Sequence, residues 1–355
     1  MPDLISTPDS LPSLNSLEEL HQLLMSLGAG PAHERRVLRA WLGQIGWEEA
    51  AESRRLRLPK ALAQKLPAIR EALGKTAAIR SRHPGADPES ERLLITLADG
   101  QTIESVLRPR QGVCVSTQMG CAVGCVFCMT GRCGLVRQLS DIEIVAQAAL
   151  ARELRPETKK VVFMGMGEPS HNLTNVMRAV EFLAQFGDFG HKDLVISSVG
   201  DERLFERLFA SAAKPALAVS LHTTDDEKRG RLLPKGARMT VSRIIERAES
   251  WARATGYPVQ YEWTLMKGVN DSFEEIDRLA GLLKGKYAMV NFIPVNAVED
   301  SPWVRPDRSH AVELVRRLRG KGIIATLRDS AAQDVDGGCG QLRARVLKSE
   351  RGESK

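Results

Sequence analysis

The sequence predicts an α/β protein: a partial (β/α)6 barrel, preceded by a small N-terminal helical domain and a β-hairpin extension. Three observations carry this. From Val113 onward, short apolar runs alternate with helical patterns, the texture of a parallel sheet with right-handed crossovers. Before residue 90, apolar residues recur at helical spacing instead. Between these regions RLLITLA (92–98) and TIESVL (102–107) flank Asp99-Gly100, a strong hairpin signal.

Residues 1–15 are rich in Pro and Ser and are expected to be disordered. They lack the basic and apolar regions of a signal peptide, so none is expected. Ser16 and Glu19 give a capping-box signal, and Leu17, Leu20, Leu24 and Leu27 mark a helical face that Gly28 ends. A second helix follows Pro31, with Val37, Leu38, Trp41 and Leu42 as its apolar face. A third runs from about Pro59 through Leu62, Leu66 and Ile69. Residues 16–90 are therefore assigned to a helical accessory domain. Between Arg54 and Arg82 it carries nine basic residues against one acid, Glu71. Such a run is either a solvated helix face or a phosphate-contacting surface for RNA. Without aromatic residues it offers no stacking platform, so it would position RNA and not read it.

Residues 91–112 form the hairpin linker, with Glu104 in its second strand. That glutamate is either a solvent-facing strand residue or a candidate base near Cys114. Residues 113–347 form the barrel and 348–355 a tail. The strands are expected at Val113–Ser116, Lys160–Met164, Leu194–Ser198, Leu217–Leu221, Val259–Trp263, Val290–Pro294 and Ile323–Leu327. Sites in such folds collect at the C-terminal ends of the strands. Those ends carry Gly165-Met166-Gly167-Glu168-Pro169, then Ser197-Ser198, Ser220-Leu221-His222, Val269-Asn270-Asp271 and Asn296. Any one could merely cap a helix. Their recurrence is the layout of a ligand held across the barrel mouth.

Five of the six cysteines fall between Cys114 and Cys133. Cys121, Cys125 and Cys128 form C-x3-C-x2-C. Three clustered thiolates suit a soft metal centre better than a disulfide. The alternatives are structural zinc, with Cys133 or a distant His as fourth ligand, and a [4Fe-4S] cluster with one iron left free. Cys339 sits between glycines in DVDGGCGQL, on a loop and not in a core strand. No stretch of eighteen apolar residues occurs, so no membrane span is expected. Clustered cysteines without a secretion signal point to the cytoplasm. A net charge of +6 permits a nucleic-acid partner.

Read together, CVSTQMGC, the cysteine triplet, MGMGEP, SLH at 220–222, VND at 269–271, NFIPVN and DVDGGCGQL closely resemble one branch of the radical S-adenosylmethionine (SAM) superfamily. These are RNA methyltransferases acting at adenosine C2, with a sister group acting at C8. The match runs from about Leu17 to Leu347. The resemblance implies a radical SAM barrel with Cys121, Cys125 and Cys128 as ligands of a [4Fe-4S] cluster. It implies SAM contacts from Gly167, Glu168, Ser197, Ser220, Leu221, His222 and Asn270. It makes Cys339 the methyl-carrying cysteine, Cys114 its partner in a transient disulfide, and Glu104 the proton acceptor. Two SAM molecules are used per turnover, with ribosomal or transfer RNA as substrate, a flavodoxin or ferredoxin as reducing partner, and a monomeric enzyme. The chemistry agrees with a thiol carrier, because C2 of adenine is electron-poor and does not attack the SAM methyl group as a nucleophile. The chain departs from the family's usual pattern at Leu135, Gln138, Val199 and Ser330-Ala331-Ala332. C8 methylation, another radical SAM reaction on RNA, and a zinc-stabilised RNA-binding protein without catalysis are the other readings.

Overall fold

The computed structural model describes residues 11–52, 56–236, 239–296, 301–330 and 338–350. Four helices open the chain: α1 (Leu17–Ser26), α2 (Pro31–Trp41), α3 (Trp47–Glu52) and α4 (Lys60–Thr76). Ser16 caps α1 by accepting a hydrogen bond from the Glu19 N–H at 3.1 Å. The expected N-terminal disorder needs one correction. Residues 1–10 lie outside the described residues, but Leu14 is buried and Leu11 packs on the core, because both find apolar partners. The short helix α3 was not anticipated from sequence.

The helical part ends at Thr76, since Ala77–Pro84 is a strand, β1. It pairs antiparallel with β2 (Glu91–Leu97), which pairs with β3 (Thr102–Arg108) about Asp99-Gly100. The linker hairpin is thus the middle of an antiparallel extension. This extension joins the barrel sheet through β4 (Gly112–Cys114), which pairs with β3. Of the basic run, Arg54 and Arg55 lie outside the described residues, and Arg80 and Arg82 stand on β1 and not on a helix.

The barrel strands are β4, β7 (Lys160–Phe163), β8 (Leu194–Ser198), β9 (Ala216–Ser220), β10 (Val259–Leu265), β11 (Ala288–Pro294) and β12 (Ile324–Leu327). All seven run parallel, in sequence order, and β1 and β12 are the two edges of the ten-stranded sheet. Six crossovers join them, as the (β/α)6 pattern requires. The connection from β4 to β7 holds a small antiparallel pair, β5 (Gln118–Gly120) and β6 (Leu135–Gln138), the short helix α5 (Met129–Arg132), and α6 (Asp141–Leu154). The remaining helices are α7 (Leu173–Phe186), α8 (Glu202–Ala210), α9 (Asp226–Leu232), α10 (Val241–Thr255), α11 (Phe273–Leu283), α12 (Arg308–Gly320) and α13 (Gln341–Glu350). Residues 351–355 of the expected tail lie outside the described residues, and α13 continues through Glu350.

Alternation along each strand divides the sheet into two faces. On one, Ile103, Leu107, Val113, Val161, Phe163, Leu194, Ile196, Leu217, Val219, Tyr261, Trp263, Val290, Phe292 and Ala325 share a single core with the helices, including α1, α2 and α4. The N-terminal helices therefore share the barrel's core. The other face points into the barrel and carries Glu104, Cys114, Ser197, Ser220, Glu262, Asn291 and Thr326. Among the described residues no helix is long and apolar enough to cross a membrane.

Candidate active site

The loop carrying the three clustered cysteines is held by apolar packing and by backbone bonds. Cys121 belongs to a second apolar cluster with Val123, Val199, Leu232, Leu233, Met266 and Val295, and Cys125 and Phe127 pack against it. The Val126 N–H donates to the Leu232 carbonyl at 3.1 Å, and the Trp303 indole N–H donates to the Val126 carbonyl at 3.0 Å. A Cβ on Gly131 would lie 2.9 Å from the Cys125 nitrogen, so glycine is what lets α5 close over the loop. Burial pushes the Cys121 thiol up to about 12, and Cys128 adds to the shift. Burial raises Cys125 well above the ordinary thiol value, helped by Cys128 and Cys121, and it raises Cys128 too.

Three thiols whose ionisation burial opposes fit a cationic centre that takes them as thiolates, with proton release on loading. Among the described residues no group of three His, Cys, Asp or Glu side chains is arranged around a single metal ion. Structural zinc takes four such ligands about one ion. A cluster binds each thiolate at a different iron, so it makes no such demand. Cys133 is exposed, at the C-terminal end of α5.

The strand ends converge beside this loop. Gly167 has φ +104°, and a Cβ there would meet the Gln118 side chain at 2.6 Å. Glu168 is buried, and its carboxylate accepts from the Ser170 N–H at 3.0 Å, the Ser198 hydroxyl at 2.5 Å and the Val199 N–H at 3.1 Å. Ser197 is buried and Ser220 half-buried, both on the inner face. Leu221 is buried, and its N–H bonds the Glu262 carbonyl at 3.1 Å. His222 has φ +65°; its ring packs edge-on to Phe127 at 5.0 Å, and its Nδ1 accepts from the Thr264 N–H at 3.0 Å. Burial, with Arg229 nearby, lowers His222 to about 3, so it is neutral at ordinary pH.

Asn270 and Asn296 differ. The Asn270 amide donates to the carbonyls of His222 and Thr264, both at 2.7 Å, and accepts from the Met266 N–H at 2.9 Å. Both of its N–H groups hold the scaffold. Asn296 donates to the Ser330 hydroxyl at 2.9 Å, while its buried Oδ1 has no partner among the described residues. A buried acceptor left open at a strand end is what a bound ligand's donor would satisfy. The departure at Gln138 is absorbed locally: its amide accepts from Gln118 at 2.8 Å and donates to the His171 carbonyl at 2.8 Å. Leu135 is 40% exposed on β6, and nothing in the structure explains that choice. Ala331 and Ala332 lie outside the described residues.

Beside β7, Cys114 (β4), Glu104 (β3) and Cys339 come together. Burial pushes Cys339 up to about 12, and Cys114 leads the charged neighbours that add to it. Burial also raises Cys114. The Thr130 hydroxyl donates to the Cys339 carbonyl at 2.8 Å, which ties the Cys339 loop to α5 and hence to the triplet. Glu104 is 1% exposed; it accepts from the Arg92 guanidinium at 2.8 Å and the Arg343 N–H at 2.8 Å. Arg92 also donates to the Gly338 carbonyl at 3.3 Å. All six cysteines are free thiols.

Sequence reasoning missed Arg92 and Arg229. Arg229 is buried and donates to the carbonyls of Val199, Ser220 (3.1 Å) and Leu221 (3.3 Å), stitching two strand ends together. In the sequence it sits within KRGR, which resembles a surface helix. Arg92 sits at the start of an apolar strand, where its inward direction follows only once the register is known.

A model of the radical SAM superfamily matches residues 115–280. A probable RNA methyltransferase of Azoarcus sp. (strain BH72) is 56% identical over 335 residues, covering 94% of this chain and 96% of that one. The chain belongs to the radical SAM superfamily. A probable RNA methyltransferase of Thiobacillus denitrificans is also 56% identical, over 331 residues, covering 93% of this chain and 91% of that one. The crystal structure of a radical SAM methyltransferase from Sphaerobacter thermophilus superposes with a TM-score of 0.80 at 34% identity, covering 95% of this chain and all of that one. Radical SAM enzymes use a [4Fe-4S] cluster and SAM. The buried thiol trio and the open Asn296 acceptor fit that pair of cofactors.

Proposed function

We propose that this radical SAM RNA methyltransferase adds a methyl group to a ring carbon of adenosine, C2 in preference to C8, through a methylated Cys339. The observation that carries this is the meeting of Cys339, on the loop before α13, with Cys114 and Glu104 of the barrel's inner wall: two free thiols and a carboxylate. The cysteines are 225 positions apart in sequence. Ordinary SAM methyl transfer needs no such pair.

Cys121, Cys125 and Cys128 would hold the cluster. Gly167, Glu168, Ser197, Ser220, Leu221 and His222 would line the SAM site, with Asn296 better placed than Asn270 to accept a cofactor hydrogen bond. Together the two cofactors supply a methyl group and, from a second SAM, a 5′-deoxyadenosyl radical. The protein's residues do the rest. Cys339 Sγ carries the methyl carbon to the base. Glu104 takes the ring proton, a step that requires its Arg92 contact to loosen. The Cys114 thiolate attacks the Cys339 sulfur; the bond from that sulfur to the transferred carbon breaks, that carbon takes up a proton as the product leaves, and a Cys114–Cys339 disulfide forms, which a reductant must open before the next turnover. A flavodoxin- or ferredoxin-like donor would supply electrons to a monomeric enzyme in the cytoplasm.

The test is mass mapping of methyladenosines in RNA from cells with and without the protein. The expected result is one ring-carbon methyladenosine lost on deletion, and Cys114→Ala protein recovered covalently joined to RNA. Normal turnover by Cys114→Ala removes the resolving role. A C8 product redirects the regiochemistry and keeps the relay.

A further inference from the structure

The inner wall over β7, β8 and β9 is small and apolar: Val162, Val195, Ala216 and Ala218 form a cluster separate from the main core. The wall beside it is polar and in register. Glu262 stands opposite Asn291, and Asn291 opposite Thr326. The Thr326 hydroxyl donates to Asn291 Oδ1 at 2.7 Å, and Asn291 Nδ2 donates to Glu262 Oε1 at 2.8 Å. The chain of bonds ends on a carboxyl group that is 6% exposed. Its other oxygen, Oε2, takes no hydrogen bond among the described residues. The ladder fixes the orientation of that carboxyl group and leaves one of its oxygens without a hydrogen bond among the described residues.

Near it are three half-buried cations. Arg108 and Lys160 lie at one level on the inner face, each in register with Gly112 between them, and Arg328 follows β12. None of the three makes a salt bridge among the described residues, although Glu262 lies near enough to favour the charged form of Arg328, and Asp193 that of Lys160. Burial lowers Lys160, and Arg108 beside it lowers it further. An anion among them would offset that repulsion.

We infer that the lumen is a nucleotide subsite: Glu262 accepts a hydrogen bond from the exocyclic amine of the target adenine, and Arg108, Lys160 and Arg328 hold a flanking phosphate. The small apolar wall then receives the face of the base. Cys114 shares this wall, since β4 pairs it in register with Val162, so a base held there lies beside the thiol pair. An adenine in this position must leave its stack, at a cost of a few kcal/mol. The inference rests on the RNA-adenine reading above and adds the groups that select the base.

The test uses cluster-reconstituted protein and a short RNA containing the site located by mass mapping. A second RNA carries purine riboside there, which lacks the amine. By fluorescence anisotropy, wild-type protein is expected to prefer the adenosine RNA about tenfold, the scale of one good base-edge contact. Glu262→Gln is expected to bind both RNAs alike, because Asn291 keeps the amide oxygen and turns the NH2 toward the base. Arg328→Gln is expected to weaken both RNAs equally and to flatten the salt dependence by roughly one phosphate contact. No preference in the wild type, or a preference retained in Glu262→Gln, overturns the base contact. An unchanged salt slope in Arg328→Gln overturns the phosphate contact, and it decides that point even if Glu262→Gln fails to fold. If Glu262→Gln instead weakens SAM binding to RNA-free protein, the lumen belongs to the cofactor and the inference is wrong. Absence of any deletion-dependent methyladenosine is a separate outcome that removes the adenine reading itself.

Discussion

The two faces of the barrel sheet do opposite things with the same strands. The outer face carries Phe163, Leu194, Leu217, Trp263 and Phe292, each at most 2% exposed, against the helices. Each such side chain contributes roughly 1.5–3 kcal/mol by leaving water. The inner face, one residue out of step, carries Arg92, Glu104, Cys114, Glu262 and Asn291. Burying an Arg–Glu pair such as Arg92–Glu104 costs several kcal/mol of hydration per ion, which the attraction only partly offsets. Stability alone would favour apolar residues there. The inner face is therefore under chemical constraint, the outer face under packing constraint, and substitutions on the two should separate activity from stability.

The largest expected effect is on the inner face. Cys339→Ala should lose methyl transfer to background while its melting temperature stays within about 2 °C, since a small half-buried side chain is removed. The outer-face counterpart, Phe163→Ala, should cost about 3–5 kcal/mol in urea unfolding. Equal loss of stability in both would break the distinction. Arg92 tests it more sharply. Arg92→Leu leaves Glu104 buried without its cationic partner, with only the Arg343 N–H to meet it, and should cost about 3–5 kcal/mol. Adding Glu104→Leu should recover most of that loss while methyl transfer stays absent. A double variant as unstable as the single one would show that the pair is structural.

A smaller effect comes from outside both faces. Glu275 on α11 fixes the loop after β9, accepting from the Thr223 hydroxyl at 2.8 Å, the Thr224 N–H at 2.6 Å and the Thr224 hydroxyl at 2.9 Å. Burial opposes its ionisation, but these donors and Lys228 outweigh burial and hold it at about 2. The folded value lies below the unfolded one, so its stabilisation is complete above about pH 4.5 and is lost as pH falls toward 2. Glu275→Gln should cost a couple of kcal/mol at pH 7 and flatten the acid limb of the stability profile over that window.

Much of this was legible in the sequence, for reasons of period. Strand-helix alternation gave the seven parallel strands, and cysteine spacing gave the triplet. Alternation also places Cys114 and Val162 on one face once the strands are paired. Register was not legible, and with it went Arg92 and the Glu262–Asn291–Thr326 ladder: direction along a strand is local, but which residues stand opposite is not. Asn270 shows the other limit. Its position at a strand end suggested a ligand contact, but only the fold shows its N–H groups committed to His222 and Thr264. β1 was hidden because its Ala-Ala-Ile start continues the preceding helical pattern.

The smallest effect concerns the exposed basic side chains of the N-terminal segment, whose apolar residues serve the core. Its charge is partly used up within the protein. Arg70 lies 3.7 Å from Glu48, Lys75 is 2.5 Å from Glu71, and Arg82 forms a two-bond pair with Glu91 at 2.7 and 2.8 Å. Exposed pairs of this kind contribute little to stability, yet they lower the net charge a phosphate would meet. Arg57 and Lys60 are exposed at the start of α4, where no acidic residue stands in the first turn. Neutralising both (Arg57→Gln with Lys60→Gln) should leave the stability within about 0.5 kcal/mol. It should lower the dependence of RNA affinity on log salt by roughly 0.7 for each phosphate that the two side chains neutralise in the wild type. Base preference at the target should not change, because a helix without aromatic side chains has no means of reading it. If the double variant altered the adenosine-to-purine-riboside ratio, base selection would not be confined to the barrel's inner wall.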